Sequence, residues 1–208
     1  MTSSDRRPKN SSVRRQSSVR QQLAVEAARL ISEQGIRDYG MAKRKAAERM
    51  GIDSEFALPS NREVDAALHQ HQTLFQSLDQ PRWLRERRVA AVEAMRFFER
   101  FDPRLVGAVL EGNADQHSAV CLHLFCQHRM DVENWLLERH IPFDTDERRI
   151  RLDAHRDGLV PVLRLSADNL PFDLSLFDRD GLRQAPLDRI TERPMRRAHI
   201  DAVIALID

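Results

Sequence analysis

The sequence predicts an α+β protein, a helical N-terminal half followed by a mixed β-sheet domain, and three observations carry that expectation. Through residue 101 apolar residues recur at spacings of three and four, the period of a helix. Beyond residue 104 short apolar runs of strand length alternate with turn-forming residues. Asp102-Pro103 stands between the two textures, and a helix rarely continues through the residue before a proline. The chain accordingly reads as a basic, disordered tail (1–17), a helical segment (18–101) and an α/β domain (102–208).

The tail has almost nothing apolar to bury, and residues 1–20 carry six cations against Asp5. Order is expected to begin at Ser18-Val19-Arg20-Gln21, which has the form of a capping box. Leu23, Ala27, Leu30 and Ile31 then mark one helix face, and Gly35 stops it. A second helix over 41–50 sets Met41, Ala42, Ala46 and Met50 against a basic face of Lys43, Arg44, Lys45 and Arg49. Ser60-Asn61-Arg62-Glu63 is a second capping box, opening a helix with the stripe Val64, Ala67, Leu68, His71, Phe75, Leu78. Pro81 fits the first turn of the next helix, whose face is Leu84, Ala91, Met95 and Phe98.

In the second half, strands are expected at 105–111, 119–126, 148–153, 160–166 and 171–177. A helix capped by Asp131 falls between the second and third, and Ile200, Val203, Ile204 and Ile207 make a last amphipathic helix.

Composition narrows function. Of 208 residues 41% are hydrophobic and 31% charged, enough for a core beneath a solvated surface, while a net charge of +1 gives no bulk attraction to nucleic acid or membrane. No apolar stretch reaches the ~20 residues that cross a bilayer. Cys121 and Cys126, five apart, point to opposite faces of a strand and read as free buried thiols, which suggests a reducing cytoplasm. The histidines are scattered and there is no Cys-x-x-Cys, so a zinc site is not expected. The absence of G-x-x-x-x-G-K-[ST] argues against an ATP-dependent ligase, a UDP-N-acetylmuramate–alanine ligase included.

Chemistry concentrates in 95–125 and 171–177. A helix leads into Val106-Gly-Ala-Val-Leu-Glu-Gly112-Asn113, a polar loop, and the run Ser118-Ala-Val-Cys-Leu-His-Leu-Phe125; the later Pro171-Phe-Asp173-Leu-Ser175 holds one carboxylate among apolar neighbours. This layout resembles the nucleotidyltransferase superfamily of kanamycin nucleotidyltransferase and the minimal nucleotidyltransferases. In that family a strand ends in Gly-Ser, the next presents Asp-x-Asp, and a third Asp lies on a later strand. The resemblance implies nucleotide contact at Gly112, Asn113 and Ser118, catalytic carboxylates at Asp173 and Asp115, and Mg²⁺ if the site is catalytic. Two metal ions need several carboxylate oxygens, and strand residues two apart aim at one side. Here Asn113 replaces the serine, and Ala119 and Cys121 occupy the Asp-x-Asp positions. The expectation is therefore a catalytically degenerate domain that binds a nucleotide, RNA or a protein partner. An active Mg²⁺-dependent enzyme with a rearranged site is the alternative.

Two basic stretches add candidates. Arg183, Arg193, Arg196 and Arg197, with Gln184, form a group suited to phosphate. Ala27 to Ile36 followed by Ala42 to Gly51-Ile-Asp53 resembles the first two helices of TetR-type DNA-binding domains, which makes the basic helix 41–50 a candidate for DNA.

Overall fold

The computed structural model describes residues 9–36, 38–52, 58–75, 79–153 and 156–207. The chain divides into two compact units, residues 1–75 and 76–208.

The first unit holds α1 (Lys9–Gln34), α2 (Tyr39–Met50) and α3 (Asn61–Phe75). Leu23, Ala24, Ala27 and Leu30 of α1 bury themselves with Ala42, Ala46 and Ala47 of α2 and Val64 of α3. Helix α1 already runs from Lys9, so most of the segment expected as a disordered tail is helical. No glycine or proline lies between 9 and 34, and Ser, Arg and Gln cost a helix little. The proposed box at Ser18–Gln21 therefore falls inside the helix and caps nothing; Arg20 instead meets Glu63 at 2.9 Å. Helix α2 begins two residues earlier than expected because the Asp38 carboxylate accepts from the Met41 N–H at 2.6 Å. Leu78 and Asp53 lie outside the described residues.

The second capping box is present. Ser60 N–H donates to Glu63 Oε2 at 2.7 Å and Glu63 N–H donates to Ser60 Oγ at 3.2 Å. The Ser60 hydroxyl is the main reason the Glu63 carboxyl sits below the usual carboxylate range. Replacing Ser60 by alanine should cost α3 about 1 kcal/mol, read as roughly fivefold faster amide exchange in its first turns, whereas Ser60→Asp should leave exchange near wild type.

The second unit contains α4 (Gln80–Phe97), β1 (Arg104–Val106), α5 (Ala108–Glu111), β2 (Val120–Phe125), α6 (Arg129–Leu137), β3 (Asp144–Arg151), β4 (Asp157–Ala167), β5 (Leu170–Phe177) and α7 (Ile200–Ile204). Helix α4, expected to close the helical half, buries Ala91, Val92 and Met95 in the core of the sheet instead. The division consequently falls at 75/76 and not at 101/102. Periodicity shows which face of a helix is buried, and says nothing of what covers it.

The sheet is mixed, in the order β1-β2-β5-β4-β3, with β2 and β5 parallel and every other neighbour antiparallel. The β4–β5 hairpin turns on Asp168-Asn169, both at positive φ (50° and 62°), the conformation of a two-residue turn matched to strand twist. The run 105–111 is strand only as far as Val106. Gly107 at φ 71°, ψ −155° takes a conformation that is essentially closed to other residues and swings the chain into α5. Asp131 is not the cap of α6 but its third residue, accepting from the His128 N–H at 3.1 Å.

Alternation along the strands separates two faces. Val120, Leu122, Leu124, Phe172, Leu174 and Leu176 pack with α4, with Val132 and Leu136 of α6 and with Val203 of α7. The opposite face carries Cys121, His123 and Phe125 from β2, Asp173, Ser175 and Phe177 from β5, Val162 and Arg164 from β4, and Asp146 and Arg148 from β3. Among the described residues no helix is long and apolar enough to cross a membrane.

Candidate functional site

The second face is where the polar side chains of the sheet collect. Leu187 bridges to Arg151 at the end of β3 and to Pro194, while Ala198 bridges to Leu105 of β1. Residues 194–198 thereby form a strap between the two edges of the sheet. Arg197 leaves the strap to lie over the Phe125 and Phe177 rings (5.0 and 5.3 Å to their centroids), which places the strap on this face.

His123 lies at the centre, 4% exposed, its ring tilted against Phe177 at 4.6 Å between centroids. Arg197 Nε donates to its Nδ1 at 3.1 Å. A guanidinium has no lone pair to offer, so Nδ1 must be the acceptor and the imidazole proton must sit on Nε2. Burial first, then the charges of Arg197 and Arg148, push the His123 pKa down to about 3. Arg197 also donates through Nη1 to the Gly181 carbonyl at 2.6 Å. Its Nη2 is buried with no hydrogen-bond partner among the described residues. Burial and then the like charge of Arg104 lower Arg197 to about 10.

Asp173 is 3% exposed and meets Arg148 Nη2 at 2.7 Å, with Arg164 Nε at 4.0 Å. Arg164 is paired in turn with Asp146. Arg104, directly across from His123 in the β1–β2 register, has its Nη1 on the Asp102 and Pro103 carbonyls. Four guanidiniums thus line a face whose one buried carboxylate is Asp173.

The other sequence-predicted residues lie apart from this cluster or are engaged elsewhere. Asp115 Oδ1 accepts from His117 N–H and Ser118 Oγ, each at 2.9 Å, and the Asp115 N–H donates back to Ser118 Oγ at 2.9 Å. Gly112, at φ 87°, ends α5, and its N–H and that of Asn113 both donate to the Ala108 carbonyl. Five N–H groups between 112 and 118 are thereby used within the loop, and a phosphate there would have to displace them. Arg87, inserted from α4, holds the Ser118 and Gln116 carbonyls at 2.7 Å each. Among the described residues no three His, Cys, Asp or Glu side chains gather to hold a metal ion.

The four candidate arginines do not act as one group. Arg196 and Arg197 are neighbours on an extended strap and point opposite ways, Arg196 to Glu111 at 3.3 Å and Arg197 onto the sheet. Arg183 and Arg193 are exposed. In α2, Lys43 Nζ donates to Asn61 Oδ1, Lys45 Nζ to Gln34 Oε1 and Arg49 Nη1 to Glu26 Oε1, so three of the four cations of the basic face bind neighbouring helices of the same unit.

Arg104, Arg148 and Arg164 were not singled out by sequence reasoning. The available signal was alternation in 144–150, where every second residue, Asp144, Asp146, Arg148 and Ile150, faces one side of a strand.

The chain matches no protein-family model, no curated protein and no solved structure. The face itself, then, is what any functional reading has to stand on.

Proposed function

We propose that the second unit is a binding module with a nucleotidyltransferase-like layout and no metal-dependent catalysis, taking a nucleotide or the phosphates of RNA as its ligand. The observation that carries this is the environment of Asp173. It stands beside Cys121 in the β2–β5 register, next to a position where the family would place a second carboxylate. Cys121 offers no hard oxygen, and the Asp173 carboxylate is turned to Arg148 at 2.7 Å. A guanidinium in that place supplies the charge compensation that Mg²⁺ would otherwise give. A phosphate ligand suits the same face, because its arginines outnumber its buried carboxylates.

The test is thermal shift with nucleoside triphosphates, with and without Mg²⁺. The reading expects a rise in Tm that is the same with and without the metal, and that persists in Asp173→Asn. A shift that needs Mg²⁺ and disappears in Asp173→Asn would revive two-metal chemistry and overturn the proposal.

A further inference from the structure

We infer that this polar sheet face holds a single oxyanion group, phosphate or carboxylate, between Arg104, Arg148 and Arg197. The inference rests on the binding-module reading and gives it a place and a ligand chemistry.

Three observations support it independently. The first is charge. Arg104 and Arg197 are close enough for the one to destabilise the charge of the other, and the only buried carboxylate nearby, Asp173, is already in contact with Arg148 and near Arg164. An anion between the guanidiniums turns that repulsion into attraction.

The second is donor satisfaction. Arg197 Nη2 carries two N–H groups that find no acceptor among the described residues, and a native buried donor of this kind ordinarily has a water or an ion against it. His123, whose Nδ1 accepts from Arg197, has its one remaining proton on Nε2 and can only donate there. An oxyanion accepts from such groups; a cation or another donor does not.

The third is access. The Phe125, Val160 and Phe177 end of the face is closed by its own apolar cluster with Leu182. Arg104 and Arg148 remain 21% and 32% exposed, Arg104 paired with Asp102 at 3.3 Å and Arg148 with Asp173 at 2.7 Å.

The experiment is isothermal titration of the full chain with three probes: inorganic phosphate, AMP and succinate. Arg104→Met, Arg148→Lys and Arg197→Gln are compared with wild type and with Arg183→Met, an exposed arginine outside the face. Arg148→Lys keeps a charge opposite Asp173, which protects the fold while removing the fork. The expected result is that at least one probe binds, that each face variant weakens it about tenfold, and that Arg183→Met leaves it unchanged. Binding of phosphate and AMP alone identifies a phosphate site. Binding of succinate alone identifies a carboxylate site, and either satisfies the inference. No binding by any probe, or binding that all three face variants leave unaltered, overturns it. The broader reading fails separately: it is lost if nucleoside triphosphates give no Tm shift, or a shift that needs Mg²⁺ and Asp173.

Discussion

Lowering the pH from about 7 to about 4 should cost the second unit about 3 kcal/mol through His123 alone. In the unfolded chain this imidazole titrates near 6.5, whereas in the fold its pKa is pushed down to about 3. Between those values the unfolded state takes up a proton that the folded state refuses, so stability is complete above the upper value and falls as acid is added. The cause is structural. Protonating His123 would place a cation among Arg197 and Arg148 at a position 4% exposed, and would turn its Nδ1 from acceptor to donor against the Arg197 Nε–H. Urea unfolding followed by tryptophan fluorescence reports this unit selectively, because Trp83 and Trp135 are the only tryptophans and both lie within it. His123→Gln keeps an acceptor for Arg197 and does not titrate. The variant should therefore lose most of the wild-type dependence on pH between 4 and 7. Equal slopes in the two proteins would mean that His123 is hydrated and that the face is open to its floor.

Helices were legible where local chemistry decides them. The Ser60–Glu63 box and the stops at Gly35 and Gly51 depend on residues within one turn of each other, and each stands where the sequence places it. The start of α1 was not legible, since polar residues without glycine or proline are compatible with both helix and coil. In the sheet, β5 was readable because it is buried on both faces and is apolar apart from Asp173 and Ser175. Strand β3 was half missed for the opposite reason. Asp144, Thr145, Asp146 and Glu147 are exposed on an edge, and nothing apolar marks them.

The candidate site followed the same division. Asp173 was visible as a lone carboxylate in an apolar strand, and its burial is a property of that strand. Its partner was not visible. Arg148 is 25 residues away and reaches Asp173 across β4, a contact that exists only once the strand order is known. Arg197 was grouped with Arg196 by proximity in sequence, although an extended strap sends adjacent side chains to opposite sides. Charge density along a chain is therefore a poor guide to charge density in space. The register of the strands, and not the count of arginines, decides which guanidiniums meet.

Replacing Arg87 by methionine should destabilise the second unit by about 3 kcal/mol, a fall of roughly 10 °C in Tm. Arg87 is 2% exposed, and burial lowers its pKa, so the fold bears a desolvated cation here. What offsets that cost is geometry. Nε and Nη2 reach the Ser118 and Gln116 carbonyls at 2.7 Å, and Nη1 reaches the Trp83 carbonyl at 3.3 Å. Methionine retains the bulk of the stem and abandons two buried carbonyls, each worth about 1–3 kcal/mol when left without a donor, against some relief from no longer burying the charge. Lysine keeps the charge but cannot present a planar fork, so Arg87→Lys should recover less than half of the loss. The consequence extends to the face. Ser118 leads directly into β2, which carries Cys121 and His123, so a slackened 112–118 loop loosens the strand on which the imidazole is held. A loss of stability under about 1 kcal/mol in Arg87→Met would mean that water reaches these carbonyls, and that the loop is not pinned from α4.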